Sequence, residues 1–169
     1  MNKHIVSPFA RGNMPEPMRD SATSAAFASL LPILAAYIRA ERDLEDINYS
    51  LDPAYFEWHR ESEEAQDRLI DVLHVLRATP IGIAMDAPLR RMALLIHTMH
   101  NDPEHARVLH QKMDAEFATR FRVPGRDPMA DHRNLLLSWC RPLVADFTRL
   151  PIFDPAPEAA DDTEMVATL

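Results

Sequence analysis

Residues 30–51, LLPILAAYIRAERDLEDINYSL, and 54–78, AYFEWHRESEEAQDRLIDVLHVLRA, decide the fold. In the first stretch Leu30, Ile33, Tyr37, Ala40, Leu44, Ile47 and Leu51 recur at alternating steps of three and four. Tyr55, Trp58, Ser62, Ala65, Leu69, Val72 and Leu76 repeat the pattern in the second. A small or apolar residue every 3.5 positions is the seam of one helix pressed against another. Only Asp52-Pro53-Ala54 separates the two seams, and short connections join antiparallel neighbours. The expectation is a long antiparallel helical hairpin, about 30–51 and 54–78, with Leu44, Ile47, Trp58, Leu69 and Val72 buried. Pro32 should kink the first helix or begin it, because its ring clashes with the preceding turn.

Proline punctuates the rest. Asp52-Pro53, Asp102-Pro103 and Asp127-Pro128 each pair an N-cap carboxylate with proline at the first helical position, and Asp86-Ala87-Pro88 is a variant. These signals place helix starts near 53, 80, 87, 103 and 128, with an earlier one after Asp20 or Ser21. Residues 87–100 are apolar nearly all round, which suits a central helix. Ala106, Leu109, Met113, Phe117 and Phe121 form one stripe, and Leu136, Trp139, Cys140, Leu143 and Phe147 another. The fold class is all-α, a bundle of about five helices built on the hairpin. Residues 1–18 read as an irregular segment, 19–150 as a single helical domain, and 151–169 as an acidic, disordered tail.

Composition narrows the function. Three glycines among 169 residues leave little room for a glycine-rich phosphate loop or a hairpin-rich β fold. One cysteine, Cys140, cannot form an intramolecular disulfide or a zinc cage needing two thiolates. The longest apolar stretch, 25–38, is shorter than the roughly 20 residues of a membrane span, so the expected setting is cytoplasmic, with no membrane contact. Charge is uneven. Residues 41–71 hold 11 acidic and 3 basic side chains, whereas 87–149 hold 7 acidic and 10 basic.

Three constellations carry candidate chemistry. Asp71 and His74 on the second helix, with His97 and His100 further on, could converge on a divalent metal ion, since imidazole and carboxylate ligands from facing helices hold metals in bundles. Against this, no Glu-x-x-His occurs, and His59-x-x-x-Glu63 matches one fragment of haemerythrin-type spacing without its companion pairs. The bland alternative is a set of solvated or partly buried polar residues. Arg120, Arg122, Arg126 and Arg133 surround the turn Val123-Pro124-Gly125 and could meet phosphate, but an isoelectric point near 5.4 disfavours nucleic acid. Pairing of these arginines with the acidic second helix, in one chain or between chains, uses both halves of the charge asymmetry. The carboxylate pairs Glu41 with Glu45, and Glu57 with Glu61 and Glu64, should face outward as solvated flanks of the seam. Cys140 should be a buried small hydrophobe with a raised pKa.

Residues 57–95 also carry an acidic helix with Trp58, then Leu76-Arg77-Ala78-Thr79-Pro80, then Pro88-Leu89-Arg90-Arg91-Met92-Ala93. This resembles a loose group of small all-α bacterial proteins often found on phage-like or mobile elements. The resemblance implies no activity and no catalytic residue, and it implies a bacterial cytoplasmic setting. The expected function is non-enzymatic: binding to another protein and to itself as a homodimer, with no cofactor unless the histidines take a divalent metal.

Overall fold

The computed structural model of the chain describes residues 20–45 and 53–154. Among them five α-helices follow one another: α1 (Ala22–Glu45), α2 (Pro53–Ala78), α3 (Ala87–Asn101), α4 (Ala106–Arg120) and α5 (Pro128–Phe147). Short 3-10 turns at Ala84–Asp86, Pro103–His105 and Pro151–Phe153 complete the order, and no strand occurs among the described residues. The fold is an all-α bundle, and its helices begin close to where the proline signals put them, except that no helix starts near 80: residues 79–83 are irregular and the next helical turn begins at Ala84. The cap expected at Asp52, and Ile47 and Leu51 of the first seam, lie outside the described residues.

The α1–α2 pair is the most extensive packing in the molecule. Glu41 faces Ser62, while Pro32 and Ala36 share a cleft with Ala65 and Arg68, so the two helices run antiparallel. On α1 the buried stripe is Phe27, Leu30, Leu34, Tyr37 and Ile38; on α2 it is Ser62, Ala65, Leu69, Val72, Leu73 and Leu76. Ile33, Ala40 and Leu44 of the expected seam are only half-buried. The deeply buried stripe is therefore wider than a coiled-coil seam and rotated away from it, because α1 must also meet α3 and α5.

Trp58 departs most from expectation. It keeps 38% of its surface exposed, and Phe56 keeps 70%. The expectation of a buried Trp58 is corrected: α3 ends with His100 against Tyr37, so the first turns of α2 run on beyond it. Pro32 neither begins nor ends α1. It sits on the exposed side, where the clash and the missing N–H cost least. By length and composition α1 could also cross a bilayer, since the helix extends well past the 14-residue apolar stretch. Here its apolar face is part of the bundle core.

Helix α3 is central and touches all four other helices. Leu89, Met92, Ile96 and Met99 have no accessible surface, and truncating any of them to alanine should cost about 2–5 kcal/mol. Helix α4 packs on α3 and buries Ala106 and Met113, with Phe121 buried just past its end. On α5 the buried positions are Ala130, Arg133, Leu136, Leu137, Cys140, Val144 and Phe147. Trp139, expected on that stripe, is 54% exposed. The folded unit also runs past residue 150: Phe153 is buried with its ring 4.7 Å from Phe147.

Candidate functional site

Two polar assemblies sit inside the bundle and a third feature lies on its surface. The first joins α5 to the start of α3. Arg133 and Asp86 are both fully buried, with Arg133 Nε donating to Asp86 Oδ1 at 2.7 Å. Arg133 also donates to the Met129 carbonyl at 3.0 Å and to Ser21 Oγ at 3.3 Å. Ser21 Oγ in turn accepts the backbone N–H of Ser24, capping α1. One guanidinium thus ties together the starts of α1, α3 and α5. Two readings are corrected here. Arg133 is no part of a surface cluster. Asp86, read as a cap, makes no side-chain bond to the α3 backbone and instead holds Arg133. The remaining arginines of the expected interaction set stay outside: Arg120 pairs with Glu116 at 2.6 Å, and Arg122 and Arg126 are exposed. The turn before α5 is held by Asn134, which both accepts from the Val123 N–H and donates to its carbonyl.

The second assembly lies where α1, α2 and α3 meet. Ser62 donates to Glu41, so Glu41 is half-buried rather than outward-facing as expected. Tyr37 is buried one turn earlier, and the His100 ring meets it edge-on at 6.3 Å. The His97 and His74 rings lie 5.6 Å apart across α3 and α2. Burial first, and the neighbouring His97 second, lower the pKa of His100 against the opposing pull of Glu41. Burial, His74 and Arg77 lower that of His97. Burial and the nearby Glu41 carboxylate push the Tyr37 phenol above its ordinary value.

Of the four expected metal ligands, the structure brings together two. His74 and His97 are neighbours, while the His100 ring turns to Tyr37 and Asp71 is exposed on α2. Among the described residues no group of three or more histidine, cysteine, aspartate or glutamate side chains could hold a metal ion. His97 and His100 are about 60° apart around α3, so they share an edge of the helix, but one ring meets His74 and the other Tyr37. His59 and Glu63 form an ordinary i, i+4 pair on the surface of α2 at 3.5 Å. Cys140 is buried as expected, and burial pushes its thiol up to about 12, away from nucleophilic chemistry at neutral pH.

The surface feature is an apolar groove of about 270 Å³ between α3 and α4. Leu95, Leu109, Met113 and Phe121 line it, with Leu94 at its edge. Arg91, Lys112 and Arg120 surround it against a single carboxylate, Glu116. Helix periodicity does not show this convergence: Leu95 and Leu109 lie on separate helices, and only the α3–α4 packing brings them to one cleft.

These features define an all-α helical bundle with an apolar surface groove between α3 and α4 and exposed aromatic residues at the start of α2. No protein-family model, curated protein or solved structure matches the chain.

Proposed function

We propose that this chain is a non-enzymatic, cytoplasmic helical protein that acts by binding another protein, and first of all a second copy of itself. The observation that supports the reading is how its charges are matched. The basic segment satisfies its arginines with acids of its own region: Arg107 with Asp154, Arg120 with Glu116, Arg141 with Asp114 and Arg149 with Asp146. The acidic start of α2 pairs only locally, Glu63 with His59 and Glu64 with Arg68. Among the described residues no ion pair joins α2 to α4 or α5. One ion pair, Arg42 with Asp146, joins the two segments; exposed Lys112, Arg122 and Arg126 make none among the described residues, which leaves them and the α2 carboxylates for a partner, and a two-fold dimer is the commonest way to use them. Sedimentation equilibrium at micromolar concentration tests the reading. A mass that rises with concentration toward twice 19.3 kDa is expected; a single species of 19.3 kDa at every concentration would sink it.

A second reading, binding of a divalent metal ion, is supported by the His74–His97 approach alone, because rings at that separation can share one ion. Metal analysis of protein purified without a histidine tag separates the two. One equivalent of bound zinc or copper, lost in His97→Gln, is the result the metal reading requires.

A further inference from the structure

One wall of the α3–α4 groove is the helix beside which the described chain ends. Leu109, Lys112, Met113, Glu116 and Arg120 share a face of α4 and line the groove opposite Leu94 and Leu95 of α3. Its floor is apolar, and Leu94 remains 39% exposed. Three cations against one carboxylate leave the rim positive, and that carboxylate, Glu116, is already bonded to Arg120 at 2.6 Å. Lys112 is exposed and makes no ion pair among the described residues. At 270 Å³ the groove is smaller than the about 300–1,000 Å³ of cavities that enclose a small molecule, so it suits a few side chains of a segment laid across it.

Residues 155–169 lie outside the described residues, but the point from which they start is fixed. Asp154 pairs with Arg107 on the first turn of α4, and Phe153 is buried against Phe147. Arg107 is two residues from Leu109, about 200° around the helix, so the chain that follows must cross α4 to enter the groove. The face it crosses, with Val108, Gln111, Lys112, Ala115 and Thr119, is exposed and carries no carboxylate. The crossing is about 17 Å around a helix about 10 Å in diameter, and Leu109 to Arg120 adds about 17 Å along its axis. Fifteen residues span up to about 50 Å, so both legs are within reach. Their composition complements the rim: Glu158, Asp161, Asp162 and Glu164 are acidic, none is basic, and Met165, Val166 and Leu169 are apolar. The tether holds them at an effective concentration of about 1 mM, so at micromolar protein they outcompete an equally matched acidic segment of another chain.

We propose that residues 155–169 fold back over α4 and dock in the groove between α3 and α4 of their own chain. Asp161 and Asp162 face Lys112, and Met165 and Val166 lie on Leu94, Leu95 and Met113. The contact covers Lys112, whereas Arg122 and Arg126 lie outside the groove and stay open to a second copy. The docked segment is a built-in competitor. Any other acidic, apolar segment must displace it, and its apparent affinity falls in proportion to the fraction of grooves left empty.

A nitroxide label on Thr163→Cys tests this in the full chain by nuclear magnetic resonance. Cys140 is buried with its thiol pushed up to about 12, so the introduced cysteine alone takes the label. Labelled, isotope-enriched chain is diluted into a large excess of unlabelled chain, so only a nitroxide on the same molecule acts on the observed signals. The result is thereby independent of self-association. The amide signals of Leu94, Leu95 and Met113 should lose the most intensity relative to the chemically reduced label, and those of the start of α2 the least. Lys112→Glu, with circular dichroism confirming helix content, should lower the ratio of docked to free tail by about fivefold, and about 1 M salt should act in the same direction. Adding Asp161→Lys and Asp162→Lys to Lys112→Glu should restore docking. An even loss over the whole surface, or a loss centred on another face, overturns the proposal. So does a loss at the groove that ignores Lys112→Glu, because charge then does not hold the tail there.

Discussion

Asp86 with Arg133, and the acidic start of α2, are opposite treatments of charge within one bundle. The first pair has left water completely and survives because guanidinium and carboxylate meet at 2.7 Å, with further bonds to Met129 and Ser21. The second keeps its glutamates in solvent and finds no basic partner on α4 or α5 among the described residues. Buried charge of the first kind serves the fold by tying α1, α3 and α5 together through Asp86 Oδ1, while Asp86 Oδ2 is buried without a hydrogen-bond partner. Exposed charge of the second kind adds little to folding and can steer association instead. Counting arginines in the sequence therefore says less than knowing which of them are enclosed.

The sharpest way to break this contrast is to remove each member in turn. Arg133→Met should destabilise the protein by about 3–5 kcal/mol, because Asp86 is left as an uncompensated buried charge. Pairing it with Asp86→Leu should recover much of that loss, measured by chemical denaturation at neutral pH. Equal losses for Arg133→Met and for Glu61→Lys would erase the distinction between the two regions.

Acid should separate the bundle's ends in a second way. His97, His100 and His110 are held below the ordinary histidine range chiefly by burial. In that case the unfolded chain takes up protons first as pH falls. The stability these residues confer is present above about 6.5 and is lost as pH drops through that value toward their lower folded values. His105, exposed and bonded to Asp102, has a raised pKa and works in the opposite sense. Thermal melts from pH 8 to pH 5 should therefore show falling stability, reduced in slope by His100→Gln. A flat profile would show that burial at the α1–α2–α3 junction does not govern these groups.

The aspartates before prolines give a smaller contrast. Asp127 accepts the N–H groups of both Met129 and Ala130, so Asp127→Ala should cost about 1 kcal/mol. Asp102 turns to the His105 ring and makes no cap bond, and Asp102→Ala should stay within about 0.5 kcal/mol. Smallest of all, Glu61→Lys should shift monomer stability by no more than about 0.5 kcal/mol while weakening any dimer. A monomer loss above 1 kcal/mol would mean that Glu61 serves the fold after all.

Much of the fold was legible because helix periodicity and Asp-Pro punctuation are local signals. The starts of α2, α3 and α5, the central place of α3 and the antiparallel hairpin all followed from spacing within a few turns. What spacing could not show was rotation. A seam defined by every third or fourth residue cannot say that α1 must also face α3 and α5, and so it misplaced Trp58 and overstated Leu44. The same limit applies to the candidate sites. His97 and His100 share a helix edge in sequence, but packing sends one to His74 and the other to Tyr37. Asp86 and Arg133 are 47 residues apart, and each had a sufficient local explanation, as cap and as surface base. Long-range pairing of that kind leaves no periodic trace.

The claim that leftover charge drives two copies together is tested most directly by light-scattering mass at low and high salt. At about 20 mM salt, where the screening length exceeds 20 Å, the mass should approach twice 19.3 kDa. At about 1 M, where it shrinks to roughly 3 Å, the mass should fall toward that of one chain. A mass of 19.3 kDa at both salt concentrations would contradict the account.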